Sequence, residues 1–312
     1  MSVSALERHL LTFFQRGYGQ LTSSGSAALI TALIAVDTPK GAEVIMPAIC
    51  CPAVLFAIQL AGFTPVIADV SLNDFAINIE TVEPLITDKT YAIVAVHNFG
   101  YPCDICALST WAKKNELILI EDACLAMGTF YQDKPLGSFG DISIVSFGYD
   151  KMINAGYGGM LLTDSSVYAE KASQHLAENN FFSFDLSSPA YMAIKAGVAK
   201  LTENLSIRLS NTQLCKDLLN PDIVEQLPNS EGIAFWRYPV LVKHSRDELI
   251  KAAEKDKIII PTHYKSLHYF YTGVFRDKSH YFSEHVINLF VRPSTPKKQL
   301  ITTIKFINDF YS

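Results

Sequence analysis

The 312-residue sequence predicts an α/β protein: a large domain with a mainly parallel sheet and helices on both faces, plus a smaller α/β C-terminal domain. Two observations predict this class. Short apolar runs of β-type composition alternate with helical runs from residue 25 to about residue 165. Two of those runs end abruptly in charged residues, as buried parallel strands often do. We expect the large domain over residues 1–205 and the small domain over residues 206–312.

The first half of the chain supplies the elements of the large domain. Apolar side chains three or four residues apart predict helices, and short apolar runs bounded by Gly, Pro or charge predict strands. In chain order we expect a helix at 4–14, a helix at 27–36, strand 43–46, helix 51–60, strand 63–69, strand 91–96, helix 107–115, strand 117–120, strand 142–147, strand 160–163 and helix 167–179.

The second half predicts a crossing segment and the small domain. Residues 191–206 have a helical apolar pattern, and the chain from there to residue 219 is expected to cross between the domains. A βαβ-like element follows, with strand 236–242, helix 246–255 and strand 258–260. Strand 286–291 and a closing helix at 298–311 complete the small domain.

The composition excludes several classes of partner and location. A net charge of -5 gives no reason to expect nucleic acid or a membrane surface as a partner. No apolar run reaches transmembrane length. The N-terminus lacks a basic stretch followed by an apolar core, so no signal peptide is predicted. We therefore expect a cytoplasmic protein.

Six cysteines are too few and too scattered to indicate a disulfide scaffold. Cys103 and Cys106 have the C-x-x-C spacing of a redox site or of half a zinc site. The same spacing also arises by chance, and no second Cys or His pair nearby completes a zinc set. We expect no metal site.

Charged residues follow two of the predicted strands. The run 117–120 is followed by Glu121 and Asp122, and the run 142–147 is followed by a turn that ends at Lys151. The carboxyl ends of parallel strands meet at one crevice of an α/β sheet. A carboxylate and an amine at that crevice are the groups that a pyridoxal phosphate (PLP) site needs. A strand-end salt bridge without chemistry would use the same two residues.

The sequence motifs around these residues resemble those of a known family. I-E-D-A-x-x-A-x-G, then G-S-x-G-D, then S-F-x-x-x-K and a G-x-G-G tail together resemble the DegT/DnrJ/EryC1/StrS family of PLP-dependent sugar aminotransferases. The resemblance implies the fold of the fold-type I aminotransferases. It implies that Asp122 pairs with the pyridine nitrogen, Ser146 contacts the phosphate and Lys151 forms the Schiff base. The family's S-G-T-A-A-L segment matches Ser24 onward, which implies that Gly25 and Ser26 hold the phosphate.

Three histidine and lysine positions leave alternatives open. His97 ends a predicted strand, where it could contact substrate or cofactor or be a satisfied structural histidine. The segment around His263 and Lys265 resembles the family's small-domain H-Y segment. These two side chains could reach the substrate, or they could belong to a solvated loop.

The chain departs from the family pattern at three positions of the cofactor pocket. Cys51 stands where the family stacks an aromatic ring on the cofactor, and Leu125 stands where it has Gln or His near the cofactor hydroxyl. Leu186 aligns with an Asn that reaches the phosphate of the partner subunit. A lost stacking ring and a lost phosphate contact predict weaker PLP binding.

The resemblance implies a PLP-dependent aminotransferase that moves an amino group, plausibly from glutamate, to a keto sugar linked to a nucleotide. It also implies a homodimer with the active sites at the subunit interface. One alternative is another PLP reaction, such as elimination, dehydration or racemisation. Another alternative is a non-catalytic relic of the family that acts as a binding or regulatory protein.

Overall fold

The computed structural model of the chain describes residues 5–228, 232–271 and 276–311. Residues 5–178 build a seven-stranded sheet and its helical cover. Their elements are α1 (Ala5–Phe14), β1 (Tyr18–Thr22), α2 (Gly25–Ala35), β2 (Glu43–Pro47), α3 (Pro52–Leu60), β3 (Thr64–Ala68), α4 (Ile79–Val82), β4 (Thr90–Val96), α5 (Ile105–Lys114), β5 (Ile118–Asp122), β6 (Phe130–Tyr131), β7 (Lys134–Pro135), β8 (Ile142–Ser146), β9 (Gly159–Thr163) and α6 (Ser166–Glu178).

The strand order of the large sheet is β1-β9-β8-β5-β4-β2-β3. The five strands from β8 to β3 run parallel to one another. β9 pairs antiparallel with β8, and β1 pairs antiparallel with β9. The predicted mainly parallel α/β sheet is therefore confirmed, with an antiparallel pair of strands at one edge.

Both faces of this sheet are buried, as the apolar composition of its strands requires. In β2, Ile45 packs into one hydrophobic core, whereas its neighbours Val44 and Met46 pack into a second core on the other face. The second core contains the apolar residues of α2 and α3, and the first contains those of α1 and α5. The alternation follows from the two-residue period of a strand.

The rest of the chain forms two helices and a small antiparallel sheet. Its elements are α7 (Pro189–Ala199), α8 (Leu201–Leu218), β10 (Val224–Gln226), β11 (Tyr238–Val242), α9 (Arg246–Lys255), α10 (Asp277–His285), β12 (Val286–Leu289) and α11 (Lys297–Phe310). The sheet order is β10-β11-β12. The helix predicted at 191–206 is two helices, with Lys200 between them. The division of the chain at residues 205 and 206 falls inside α8 and stays a prediction.

The strand predicted at residues 258–260 and its βαβ-like pairing are wrong. The N–H group of Ile258 bonds to Ala253 at the end of α9. Among the residues that the structure describes, Asn288 bonds this stretch to β12: its backbone N–H donates to Pro261, and its side chain bonds to the backbone of His263. An apolar run of three residues is too short to specify a strand without such a ladder.

Across the part of the chain that the structure describes, none of the helices combines the length and the apolar character needed to cross a bilayer.

Candidate active site

Two strands of the large sheet bring Asp122 and Ser146 to the same edge. β5 ends at Asp122 and β8 ends at Ser146, and the two strands are parallel. Asp122 lies opposite Ile144, so Ser146 is two residues further along on the same face of the sheet. The predicted crevice at the carboxyl ends of these strands therefore holds both residues.

The N-terminus of α2 reaches this edge. Ser24 caps the helix, because its Oγ accepts a hydrogen bond from the N–H of Ala27 at 3.1 Å. A Cβ at Gly25 would lie 2.9 Å from the Ser146 Cβ and 3.2 Å from the Cys124 Sγ. Only glycine allows the backbone to come this close. The first N–H groups of a helix have no acceptor within it, which makes the start of α2, with Gly25 and Ser26, a candidate anion-binding site.

The glycine tail keeps the start of α2 in place. Gly159 begins β9 opposite Ser146, and a Cβ there would lie 2.5 Å from the carbonyl carbon of Ser24. The N–H of Gly158 donates to Ser23 at 3.0 Å. Backbone therefore packs directly on backbone, which explains why this motif needs glycine.

The Cys124 thiol lies close to both Asp122 and Lys151. Asp122 is buried, with 7% of its surface exposed, and its Oδ1 accepts a hydrogen bond from the N–H of Cys124 at 2.9 Å. Burial raises the pKa of the Cys124 thiol well above its usual value, the Asp122 carboxylate raises it further, and the Lys151 ammonium lowers it. Both predicted catalytic groups therefore lie close enough to one thiol to act on its charge.

Glu121, the residue before Asp122, is buried and organises the loop that holds the G-S-x-G-D motif. Its carboxylate accepts hydrogen bonds from His97 Nε2 at 3.0 Å and from the hydroxyl of Ser143 at 2.9 Å. It also accepts bonds from three backbone N–H groups of the loop: Gly137 at 2.6 Å, Phe139 at 2.7 Å and Gly140 at 2.9 Å. The motif is therefore a backbone cradle for a carboxylate that lies next to the proposed cofactor-pairing acid.

The protonation state of Glu121 follows from these contacts. Burial alone would raise the pKa of this carboxyl, but the hydrogen bonds from His97 and from the backbone of Gly137 and Gly140 lower it from 4.5 to about 2. On the outside of the loop, the Arg16 guanidinium donates to the carbonyl oxygens of Gly137 and Gly140. The carboxylate thus holds the N–H groups of the loop, and the guanidinium holds two of its carbonyl oxygens.

His97 is a structural histidine. Its ring is fully buried, its Nδ1 accepts a hydrogen bond from the N–H of Cys103, and its Nε2 lies against Glu121. Both ring nitrogens are thus occupied by the protein itself. Burial raises the pKa of the Cys103 thiol well above its usual value. A reactive cysteine needs thiolate character, so this environment does not favour the redox interpretation of Cys103 and Cys106.

The turn before Lys151 contains a residue whose role the sequence did not reveal. Asp150 has a positive φ of 58° and is buried. Its two carboxylate oxygens pair with Arg237, at 2.6 Å, and with Arg292. Burial alone would raise the pKa of Asp150, but the hydrogen bonds from these arginines lower it below its usual value. No local sequence signal links these positions, because the partners lie far apart in the chain.

The three residues that differ from the family pattern lie in different environments. Cys51 is exposed and occupies the N-cap of α3 without a side-chain capping bond. Leu125 is 5% exposed and packs into the main hydrophobic core, so it offers no polar contact to a cofactor hydroxyl. Leu186 is exposed and lines a cavity of about 580 Å³ together with Tyr18 and Phe184.

His263 and Lys265 also separate in the structure. His263 Nδ1 lies 2.9 Å from Arg237 Nη1, so this histidine contacts the arginine that pairs with Asp150. Lys265 is exposed. The segment therefore approaches the turn before Lys151 through His263.

The groups at this edge fit PLP. The start of α2, with Gly25, Ser26 and Ser146, offers N–H and hydroxyl donors suited to a phosphate. Asp122 offers a carboxylate for a ring nitrogen, and Lys151 offers a primary amine for an aldehyde. The close packing at Gly25 is itself evidence of a built cradle, since a side chain there would collide with Ser146.

Comparison with known proteins identifies the family. The DegT/DnrJ/EryC1/StrS aminotransferase family matches residues 1–181, which is more than half of the chain. The chain belongs to this family. The match includes the start of α2 and the turn that holds Lys151.

Individual relatives of this aminotransferase agree with the assignment. It is 30% identical to GDP-perosamine synthase of Escherichia coli O157:H7, over 95% of this chain and 86% of the synthase. A DegT/DnrJ/EryC1/StrS aminotransferase of Brucella abortus has the same fold, with a TM-score of 0.89, 20% identity, and coverage of 98% of this chain and 89% of that one. NtdA of Bacillus subtilis, solved with bound cofactor PMP, has a TM-score of 0.86 and 25% identity, with coverage of 99% and 78%.

These comparisons confirm the predicted family, the fold-type I aminotransferase fold and the enzyme class. The chain is a PLP-dependent aminotransferase. Family membership favours amino transfer over the two alternatives, which were another PLP reaction and a non-catalytic relic.

Proposed function

We propose that this aminotransferase moves the amino group of an amino acid, glutamate in this proposal, to the keto group of a nucleotide-linked sugar. Two relatives support the choice of substrate. GDP-perosamine synthase is named for a GDP-linked sugar, and DesI, a structural relative, was solved with its TDP-sugar product. The proposal therefore includes a nucleoside diphosphate as the handle of the acceptor and leaves the base open to experiment.

One observation carries the proposal: Asp122, Ser146 and the start of α2 meet at one edge of the sheet, and the turn after β8 brings Lys151 there. When bound, PLP supplies an aldehyde that reacts with amines and a ring that accepts electrons. The N–H groups of Gly25 and Ser26 and the Ser146 hydroxyl would hold its phosphate. Cys51 would line the pocket without supplying an aromatic ring to stack on the cofactor. Leu125 would line it without supplying a polar group to the cofactor hydroxyl.

The two catalytic side chains have separate roles in this proposal. The Asp122 carboxylate would pair with the ring nitrogen and favour its protonated form. The Lys151 amine would hold the cofactor through its aldehyde. When it is not holding the cofactor, the same amine would move a proton at the substrate carbon that carries the amino group.

The proposed roles are tested by trapping the cofactor on the protein. The purified chain is mixed with PLP and reduced with borohydride, and the modified peptide is identified by mass spectrometry. We expect pyridoxyl on Lys151, no label there in Lys151→Ala, and no transamination by that variant. Asp122→Ala should keep the label but lose transamination by about 100-fold or more, because the ring nitrogen loses its partner.

Lys113→Ala, which changes an exposed lysine at the end of α5, is the matched control and should be labelled and active as the wild type. Full turnover by Lys151→Ala, or a label on another lysine of the wild type, would contradict the assignment of Lys151. Wild-type protein that takes up no label and shows no absorbance change with PLP would contradict the proposed pocket as a whole.

We also propose a homodimer located in the cytoplasm. Exposed apolar side chains support the dimer, since a monomer rarely leaves several of them in one region of sequence. Phe181 and Met192 are 87% and 63% exposed, and Leu186 between them is exposed as well. The cytoplasmic location rests on the nucleotide-linked substrate proposed above.

A further inference from the structure

The turn that leads to Lys151 is held by few bonds of its own. Within the turn, the N–H of Lys151 donates to the Gly148 carbonyl at 3.3 Å, a long hydrogen bond. Asp150 is in the left-handed backbone region, which is unfavourable for most L-residues and which aspartate enters more readily than most. Local sequence therefore does not account for the conformation of this turn.

Residues next to the strands of the small antiparallel sheet restrain this turn. Each carboxylate oxygen of Asp150 pairs with a different guanidinium, Oδ2 with Arg237 and Oδ1 with Arg292. The indole N–H of Trp236 donates to the backbone carbonyl of Asp150. Both the side chain and the backbone of the residue before Lys151 are thus bound by residues of the C-terminal part of the chain.

The two arginines are themselves fixed. Arg237 immediately precedes β11, and Arg292 follows β12, the strand that pairs with β11. The Arg237 guanidinium lies 4.2 Å from the centre of the Trp236 ring and 4.7 Å from that of Phe290, and the Arg292 guanidinium lies 4.6 Å from Phe290. Rings that stack on both guanidinium groups limit their movement.

Stability alone is a poor reason for this cluster, which we call the Asp150 clamp and define as Asp150, Arg237 and Arg292. A buried ion pair costs desolvation, and well-packed apolar residues often stabilise a protein as well or better. What apolar residues cannot do is fix the direction of a turn with two separate charge-assisted bonds. The clamp is therefore better explained as a way to fix the geometry of the turn than as a way to stabilise the folded protein.

We propose that Asp150 is a positioning residue for Lys151: Arg237 and Arg292 hold it so that the small sheet fixes the direction in which the lysine side chain leaves the turn. The proposal rests on the proposed role of Lys151. It makes both arginines part of the reaction's geometry without contact with the reacting atoms. It also makes the small sheet a direct structural support of the catalytic lysine.

The test is Asp150→Asn in the full-length chain, which keeps the shape of the side chain and removes its charge. Far-UV circular dichroism and thermal unfolding report the fold, and a titration with PLP reports affinity. Stopped-flow absorbance reports the half-reaction with glutamate, and a pH titration reports the absorbance of the bound cofactor. We expect the circular dichroism spectrum and the PLP affinity to change little, and thermal unfolding to shift to lower temperature because two guanidinium groups lose their carboxylate. The half-reaction should slow by about 10- to 100-fold, because catalysis is sensitive to small misplacements of the reacting group, and the pH midpoint of the absorbance should move.

Arg292→Gln is the second variant, since Arg292 is partly exposed and the change leaves Arg237 on Asp150. The double variant Asp150→Asn/Arg292→Gln should be no slower than the slower single variant if the residues act as one unit. Asp37→Asn, which breaks the surface pair between Asp37 and Lys171, is the matched control and should leave rate and pH midpoint unchanged.

Unchanged half-reaction rates and pH midpoints in both single variants would overturn the proposal. The proposal would also be overturned if the rate fell only in proportion to a loss of folded protein and the pH midpoint of the absorbance did not shift. That result would mean that the role of Asp150 is purely structural. These outcomes differ from a failure of the proposed function, in which the wild type itself takes no borohydride label on Lys151.

Discussion

Glu121 shows how a residue with no place in the reaction supports one that has. It precedes Asp122 in β5, and successive side chains of a strand point to opposite faces of the sheet. One face receives the Asp122 carboxylate at the proposed cofactor site. On the other face, the Glu121 carboxylate binds the loop with Gly137, Phe139 and Gly140. The position of Asp122 is therefore fixed partly by its neighbour's contacts.

This arrangement predicts how stability depends on pH. Hydrogen bonds lower the pKa of Glu121 from 4.5 to about 2 in the folded protein. Its contribution to the free energy of unfolding is therefore fully present above pH 4.5 and is lost as the pH falls toward 2. Glu121→Gln should lower the free energy of unfolding at neutral pH by about 3 kcal/mol, because an amide N–H₂ would face backbone donors. Urea unfolding at a series of pH values measures both effects.

Glu170→Gln, at an exposed position of α6, is the control for the loss of one carboxylate and should follow the wild type. In the Glu121 variant, the loss of stability between pH 4.5 and 2 should shrink. A variant that remains as stable as the wild type at neutral pH would show that the loop does not depend on this carboxylate.

At single residues, the sequence motifs and the structure agree where the signal is local. The strands predicted at 117–120 and 142–147 are present and end at Asp122 and Ser146, and the helix predicted at 27–36 begins two residues earlier, at Gly25. Asp150 could not be assigned in this way. Its partners Arg237 and Arg292 lie next to strands of the small sheet, and no spacing in the sequence relates the three positions.

Among the elements, α2 contributes most directly to the site through its first turn. The helix is apolar along its length, so it is buried and cannot shift to make room at its N-terminus. Gly25 lies against Ser146 and Cys124, and every larger residue would have to displace one of these two side chains. The proposed phosphate site therefore depends on the absence of a single Cβ.

Gly25→Ala should weaken PLP binding by about 10-fold or more and destabilise the chain by roughly 1–3 kcal/mol, because the added methyl overpacks the contact with Ser146. A PLP titration by absorbance and urea unfolding measure these two effects. Gly17→Ala is the matched control, since a Cβ there would meet only the Asp164 carboxylate at an ordinary 3.5 Å. Equal PLP affinity in the two variants would contradict the role of the α2 N-terminus.

The elements that the sequence failed to predict share a physical cause. β1 contains glycine and polar residues, and its place in the sheet depends on pairing with β9 far along the chain. The opposite error occurred at residues 258–260, where an apolar run predicted a strand but does not form the hydrogen-bond ladder of a strand. The long helix α8 and its separation from α7 also lack a local signal, because Lys200 breaks the helix without Gly or Pro. Periodicity predicts elements that bury one face, and tertiary pairing decides the rest.

On the scale of the whole molecule, one stretch of the chain leaves apolar side chains exposed. Phe181, Leu186 and Met192 lie within residues 180–199, and α7 in that stretch is largely apolar in sequence. Leu186 also aligns with the position from which relatives were expected to reach a partner's cofactor. The same surface would then be buried in the proposed homodimer.

Sedimentation velocity should therefore give a dimer for the wild type and a monomer for Phe181→Asp/Met192→Asp, because two buried carboxylates without partners would oppose association. Ile259→Asp, at an exposed apolar position of the C-terminal part, is the control and should remain dimeric. A wild type that sediments as a monomer at micromolar concentration would contradict the dimer. A dimer that survives the double substitution would place the interface elsewhere.

The pairing of β1 with β9 has a consequence for how this protein is made. Ser23 and Ser24, at the start of the anion site, are held by Gly158 and Gly159, which leave the ribosome much later. Such contacts between distant parts of a chain form slowly, because a long loop must close first. The proposed phosphate site is therefore incomplete until the glycine tail has been synthesised and β9 has joined the sheet. Until then, the apolar strands of the unfinished sheet are open to aggregation, and added PLP would favour the completed fold.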